Sequence, residues 1–345
     1  MRALVYSRPR GPVTLTEVPA PTAPPAGAVV QVAATGLCRS DWHGWMGHDP
    51  DIRRFPHIPG HEFAGTVVEV GSGVDTAWIG RRVTAPFVYA CGACEVCSAG
   101  DGQVCPAQQQ PGFSLPGSFA EYVTVAAAAE NLVAIPDDLS FRAAAGLGCR
   151  VATAYRGIVG RAKVETGEWV AVFGAGGVGL SAVAIAVSRG ARVVVVDPSE
   201  RARELAAALG AEVTLTDASD IVDVTEGGAH VSMDAFGSAQ TCRDSILALR
   251  RRGRQVQVGL LGNESPEVPM GRVIGWELDL LGSHGMPAHD YAALLDDVVA
   301  GRVAIERLLA NGPDLTLEEA ADALPGLPGI VGRPGIRVID PGLLR

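Results

Sequence analysis

Short apolar or alternating runs fill the first part of the chain. Residues 28–33, 63–70, 82–85 and 119–125 have strand length and are separated by Gly and Pro. Val29, Val30 and Val32 are β-branched, the type that packs well on a pleated surface. The pattern predicts a β-rich region up to about residue 150. From about 151 to 285 the texture changes to alternating strands and helices. Residues 169–173 form an apolar strand, and 179–189 an Ala/Val-rich helix. The valine run 193–196 predicts a strand covered on both faces, and 200–209 a second helix. Later strands are expected at 231–236, 255–260 and 278–282. Alternation of this kind implies an α/β region with a parallel sheet and right-handed crossovers. The last residues, 286–345, return to mixed character.

Composition narrows the class. A chain of 345 residues exceeds one typical core and suggests two domains. With 48% hydrophobic and 19% charged residues it can bury large cores. A net charge of −10 and a pI near 5.2 argue against a nucleic-acid footprint. The basic scraps Arg161 with Lys163, and Arg250, Arg251 and Arg252, are read as solvated turns or helix ends. The N-terminus lacks the apolar core of a signal peptide. The most apolar stretch, 169–187, is crowded with glycine, which suits a strand–turn–helix better than a membrane span. A cytoplasmic protein is expected, with its thiols on metal rather than in disulfides.

Strand 169–173 runs directly into Gly174, Ala175, Gly176, Gly177, Val178 and Gly179. This is G-x-G-x-x-G between a strand and a helix, the setting in which it binds a dinucleotide. The glycines allow a tight turn, close approach of a pyrophosphate, and close helix–strand packing. The helix start offers free N–H groups to the phosphates. Asp197 ends the valine run, 18 residues past Gly179. A carboxylate there accepts from ribose hydroxyls and repels a 2′-phosphate, which favours NAD over NADP. Arg201 and Arg203 lie near enough to keep NADP open.

Seven cysteines carry the remaining signal. Cys91, Cys94, Cys97 and Cys105 fall in one short loop, spaced C-x2-C-x2-C-x7-C. Such a loop closes four thiolates around a structural zinc. Cys242 reads as core packing. Cys38, His61 and Cys149 come from three distant segments, and three ligands would leave a zinc one open position, as catalysis requires. Each cysteine is equally suited to be a small buried residue, and spacing alone does not choose.

The segments CRSDWH (38–43), GHEFAG (60–65), the four-cysteine loop and GAGGVG (174–179) together resemble the zinc-dependent alcohol dehydrogenases of the medium-chain dehydrogenase/reductase superfamily. The resemblance covers nearly the whole chain. It implies a GroES-like catalytic domain (1–150 and 286–345) beside a Rossmann cofactor domain (151–285), with the active site between them. It implies Cys38, His61 and Cys149 as catalytic zinc ligands, and Glu62 as a nearby or transient fourth ligand. Asp41 would orient the ligand histidine, Arg39 would meet the pyrophosphate, and Thr153 would pack near the nicotinamide. Ser40 and His43 would relay the alcohol proton through the cofactor ribose. Phe87 would line the substrate pocket. Leu260 and Leu261, after Gly259, would border the nicotinamide. Trp42, Trp45 and Met46 are equally pocket or core residues. The implied reaction is reversible hydride transfer between an alcohol and NAD, with two zinc ions per chain and a homodimer or homotetramer as the assembly. A polyol, amino-alcohol or carbinol dehydrogenase on the same scaffold is the alternative, and a silent cofactor-binding protein a more distant one.

Overall fold

The structure is a computed structural model that describes residues 1–262, 264–310, 312–327 and 335–343. Two sheets organise it. In the first, the strands Arg337–Ile339, Ala28–Leu37, Phe63–Val70, Arg82–Thr84 and Val133–Ala134 lie side by side and antiparallel. Tyr122–Val125 also pairs with Ala28–Leu37, and a separate hairpin joins Arg2–Val5 to Thr14–Glu17. The C-terminal strand therefore returns to the N-terminal sheet.

The second sheet is wholly parallel. Its spatial order is Val213–Leu215, Arg192–Val196, Trp169–Phe173, Ala229–Asp234, Leu249–Gln257, Asp279–Gly282. The first strand in sequence lies centrally and the order reverses beside it. A crevice opens at the carboxyl ends of the strands at such a switch point, and it is the usual ligand site of this architecture. The valine run is covered from both sides: Val193 and Val195 pack into one core and Val194 into another.

Between the sheets runs a helical segment, Phe141–Ala145, Leu147–Val151, Ala152–Tyr155 and Arg156–Arg161. Its turns at Leu147–Val151 and Arg156–Arg161 are wound in the wider π manner, which recurs at functional sites. One apolar core spans both halves. It runs from Ala34 and Ala64 through Leu147, Val151 and Ile158 to Val170, Val172 and Met233. Among the described residues no helix is long and apolar enough to cross a membrane.

Two local expectations change. The strand expected at 28–33 continues to Leu37 because its later polar positions are satisfied inside the fold. Thr35 Oγ1 donates to the Glu62 carbonyl at 2.8 Å and lies 2.7 Å from Ser118 Oγ. Arg250, Arg251 and Arg252 are not turn or helix-end residues but begin the strand Leu249–Gln257. Their guanidinium heads find partners outside the strand. Arg250 donates to the Gly228 carbonyl at 2.9 Å, and the Arg251 guanidinium sits 5.0 Å from the Trp276 ring centre.

Candidate active site

Three elements converge at one end of the antiparallel sheet, where its interior strand Ala28–Leu37 ends and Phe63–Val70 begins. The long strand ends at Leu37, and Cys38 caps the helix Arg39–Met46. Gly60 carries His61 and Glu62 into the next strand. It has φ +103°, and a Cβ there would meet Ser118 and Phe119 at under 3 Å, so only glycine admits this entry. The π-wound turn Leu147–Val151 supplies Cys149.

Asp41 ties the first two segments together. Its Oδ2 accepts from the Cys38 backbone N–H at 2.9 Å. Its Oδ1 accepts from the Gly60 N–H at 3.1 Å and lies 2.9 Å from His61 Nδ1. Asp41 and His61 are each 1% exposed; against burial, the carboxylate holds a proton on Nδ1 and raises the imidazole pKa well above its usual range, leaving Nε2 as the ring position open to a metal. Nε2 is buried and has no hydrogen-bond partner among the described residues. Donor atoms of Cys38, His61, Glu62 and Cys149 all lie within 4.8 Å of one another. A bond from the Cys149 thiol holds Cys38 well below the ordinary thiol range, with help from the charge of Arg150. The same bond, together with burial, pushes Cys149 well up. A buried, partnerless imidazole nitrogen beside two thiols fits a zinc ion, whose soft and borderline ligands these are.

Glu62 is already engaged. Arg150 wraps it, with the backbone N at 2.9 Å and Nε at 3.0 Å from Oε1, and Nη2 in contact with Oε2. The Arg150 stem also crosses to Gly177 in the glycine loop. Nothing in the local sequence pairs positions 62 and 150. The adjacency of Arg150 to Cys149 was the only hint.

On the outer side, Ser40 Oγ is 3.8 Å from Cys38 Sγ. His43 Nδ1 lies 3.0 Å from Nδ1 of His48, a second histidine that sequence reading passed over. Burial, and then the charge of Arg39, holds His43 below its usual range. The aromatic residues divide. Phe87 and Phe113 pack against the His61 ring, with centroids at 6.1 and 5.2 Å. Trp42 and Trp45 instead pack with Leu4, Leu37 and Phe119, and Cys242 is buried among Ile246, Leu249 and Leu278.

The glycine loop sits at the switch point. Gly174 has φ +88°, and a Cβ on Gly179 would fall 1.8 Å from the Gly174 carbonyl oxygen. The helix Gly177–Ser188 therefore starts in contact with the turn. No side chain caps it, so its first N–H groups stay open to an anion, and Val178 faces the core. Asp197 closes the loop, accepting from Ala175 N at 2.7 Å and Ser199 N at 2.8 Å. Arg203 donates to the Asp197 carbonyl at 2.7 Å, while Arg201 is exposed. Across the cleft, the Arg39 guanidinium lies 5.8 Å from the Phe236 ring centre. Gly259 packs on Gly237, and Leu260 is 81% exposed. Leu261 turns away into the cluster around Cys242. Thr153 is buried, and its Oγ1 has no partner among the described residues.

In the four-cysteine loop, Cys94 caps the short helix Glu95–Ser98. Its sulfur lies 3.4 Å from that of Cys97 and 3.8 Å from that of Cys105, and Cys91 is 3.9 Å from Cys97. Four thiolates on a tetrahedral zinc stand about 3.8 Å apart. The donor set and its spacing fit that ion with no position left open.

A β-rich lobe with two clusters of metal-ligating side chains, packed against a parallel sheet that carries a glycine-rich turn, has the architecture of a zinc-type dehydrogenase. Comparison with known proteins agrees. Residues 24–137 match the alcohol dehydrogenase GroES-like domain, and 177–300 the zinc-binding dehydrogenase domain. An alcohol dehydrogenase of Geobacillus stearothermophilus is 36% identical over 309 residues, covering 88% of this chain and 90% of that one. A sorbitol dehydrogenase of Halalkalibacterium halodurans is 31% identical, covering 90% and 92%. Among solved structures, the alcohol dehydrogenase of Thermus sp. ATN1 superposes with a TM-score of 0.89 at 30% identity, over 99% of both chains. A cobalt- and zinc-bound alcohol dehydrogenase of Pyrobaculum aerophilum gives 0.85 at 29%, again over 99% of both. An NADH complex from E. coli CFT073 gives 0.88 at 25%, over 99% of both. An NADP-bound protein of Sinorhizobium meliloti 1021 gives 0.86 at 29%, over 99% of both. The chain belongs to the zinc-type alcohol dehydrogenases of the medium-chain dehydrogenase/reductase superfamily, and is an alcohol oxidoreductase.

Proposed function

We propose that Cys38, His61 and Cys149 hold a zinc with one open position, and that the enzyme reversibly oxidises alcohols to aldehydes or ketones with NAD. The buried, partnerless Nε2 of His61, aimed among the thiols, carries this reading. When bound, zinc supplies a Lewis acid that lowers the pKa of an alcohol hydroxyl, and NAD supplies the hydride acceptor. The protein's own groups do the rest. Asp41 holds Cys38 and His61 in place. Burial raises the Glu62 pKa, Arg150 opposes that shift by binding the carboxylate, and the group stays within reach of the thiols as a transient ligand. Ser40 Oγ takes the alcohol proton as it gives up its own hydroxyl proton, and the His43 imidazole, beside His48, takes a proton outward. Phe87 and Phe113 keep water from the reacting carbon.

The open amides of Gly177, Val178 and Gly179 receive the pyrophosphate, with Gly174 and Gly176 giving it room and Arg39 closing over it. Thr153, Gly259 and Leu260 bound the nicotinamide. Asp197, held rigid by Ala175 N and Ser199 N, accepts from the ribose hydroxyls and repels a 2′-phosphate, which supports NAD over NADP. Cys91, Cys94, Cys97 and Cys105 hold a second, structural zinc. We assign 1–150 with 286–345 to the catalytic domain and 151–285 to the cofactor domain. The outer edge of Asp279–Gly282 lacks a neighbouring strand among the described residues, and Ile274, Met270 and Leu280 beside it are exposed. Such an edge favours pairing with a second copy, hence a homodimer or a dimer of dimers, and we place the enzyme in the cytoplasm.

Metal analysis with an alcohol and aldehyde panel, run with NAD and with NADP, tests the reading. Two zinc ions per chain and NAD-linked turnover are expected. One zinc, or turnover that survives removal of the metal, overturns it.

A further inference from the structure

The aromatic wall beside the metal cluster does not end in an apolar residue. The chain leaves the last parallel strand, Asp279–Gly282, through Ser283 and His284. The His284 ring meets Phe87 edge-on, with centroids 5.3 Å apart and planes at 81°. Phe87 is the same ring that packs on His61. Gly285 fixes this approach, since a Cβ there would lie 3.1 Å from Phe87 Cε1. One aromatic side chain thus links the proposed metal ligand of one domain to a histidine of the other, at the cleft where an alcohol must lie. His284 is half-buried. Its two ring nitrogens have no hydrogen-bond partner among the described residues, unlike His57 and His230, which bond at 2.8 Å to the Gly112 carbonyl and at 2.9 Å to Trp169 N. Burial holds it below its usual range, so it is neutral at pH 7, with one N–H donor and one acceptor nitrogen.

A neutral imidazole at the end of an apolar wall is matched by a group that both gives and takes a hydrogen bond, or takes one. A hydroxyl or a carbonyl does so, whereas a carboxylate or phosphate gains little without a positive charge. We propose that His284 recognises a second oxygen, a hydroxyl or carbonyl, on the substrate's carbon chain beyond the stretch covered by Phe87. The enzyme then selects short hydroxylated alcohols over plain alcohols of equal length. This rests on the alcohol dehydrogenase reading of the Cys38, His61 and Cys149 site and names the substrate class within it. His284 is a specificity residue that touches the remote end of the substrate, not the reacting carbon. A plain alkyl chain in the same place leaves both ring nitrogens unpaired and loses the bond.

The test uses the zinc-loaded, full-length enzyme with a matched pair, a linear butanol and the butanediol with a second hydroxyl at its far end. The ratio of the two kcat/KM values is measured for the native enzyme, His284→Ala and His284→Asn. Dissociation constants of both alcohols from the enzyme–NADH complex are measured by nucleotide fluorescence. The native enzyme is expected to favour the diol by about 10-fold, the worth of one buried hydrogen bond. His284→Ala should erase that preference through KM and through the dissociation constant. His284→Asn, which keeps a donor and an acceptor, should recover part of it. A native enzyme that favours butanol, or an alanine variant that shifts both alcohols equally, overturns the proposal while leaving the alcohol dehydrogenase reading intact. A zinc-loaded native enzyme that turns over neither these two nor any alcohol of the panel sinks the underlying reading instead.

Discussion

Asp41 is the residue that holds the proposed metal ligands together, though it is not one of the thiol or imidazole donors. One carboxylate accepts from Cys38 N, Gly60 N and His61 Nδ1. In Asp41→Asn a single oxygen must serve three donors, and the amide N–H₂ opposes one of them. The His61 tautomer is then no longer fixed. Loss of such an orienting partner weakens metal binding by about 10–100-fold. Competition with a chromogenic chelator should release one zinc per chain early and leave the four-cysteine zinc in place. Simultaneous release of both would contradict the assignment. His43 makes a second prediction, in pH. Its pKa lies below 6.5 because burial and Arg39 disfavour the charged ring. It therefore remains a proton acceptor down to a pH below 6.5 and fails only as pH falls through that lowered value. In His43→Gln the proton must leave through water. The variant should lag near neutrality, with the gap closing toward alkaline pH as hydroxide takes over. A pH–rate profile parallel to the native one removes His43 from the relay. That Cys38, His61 and Cys149 come together was expected from the resemblance their segments carry, since spacing alone did not choose them. Arg150, His48 and His284 were not legible, since their roles come from Glu62, His43 and Phe87, partners that only the fold brings near.

Among the elements, the strand–turn–helix at 169–188 was the most readable, because all its signals are local. Trp169–Phe173 stands as expected, and the helix starts at Gly177 inside the motif rather than at Gly179. The strand Leu249–Gln257 lay earlier than its apolar residues indicated. Three arginines at its start hid it, and only backbone pairing with Ala229–Asp234 and Asp279–Gly282 defines it. The C-terminal strand Arg337–Ile339 has three residues and no pattern of its own, and exists through its pairing with Ala28–Leu37. The glycine loop yields the prediction at this scale. In Gly179→Ala the new methyl would lie 1.8 Å from the Gly174 carbonyl oxygen, so the helix start must move off the turn. Overpacking of this kind costs about 1–3 kcal/mol and displaces the amides meant for the pyrophosphate. NADH affinity should fall by about 10-fold or more in a fluorescence titration, with both zinc ions retained. Native affinity in this variant would mean that the phosphates lie elsewhere.

At the scale of the whole molecule, the shared core and the edge strand set what can move and what can pair. Apolar packing continues from Ala34 through Leu147 and Val151 to Val170, so the helical segment carrying Cys149 is held by both halves. The opposite margin is unfinished. Asp279–Gly282 pairs on one side only among the described residues, and in the neighbouring helix Met270–Trp276 Ile274 is 72% exposed. In a two-fold dimer built on this edge, each copy would present Ile274 to the interface. Ile274→Glu would then bury a carboxylate from each copy without a partner. That costs about 3 kcal/mol or more, or roughly 100-fold or more in the dimer dissociation constant. Sedimentation velocity should show a monomer at concentrations where the native enzyme is dimeric. The effect should also reach the active site, because Asp279–Gly282 leads within two residues to His284 on Phe87. Freed from its pairing partner, that exit loosens, and turnover should fall with dissociation and recover as protein concentration drives reassociation. A variant that stays dimeric places the interface on another face. A monomer with native turnover would separate the edge strand's pairing from the placement of His284.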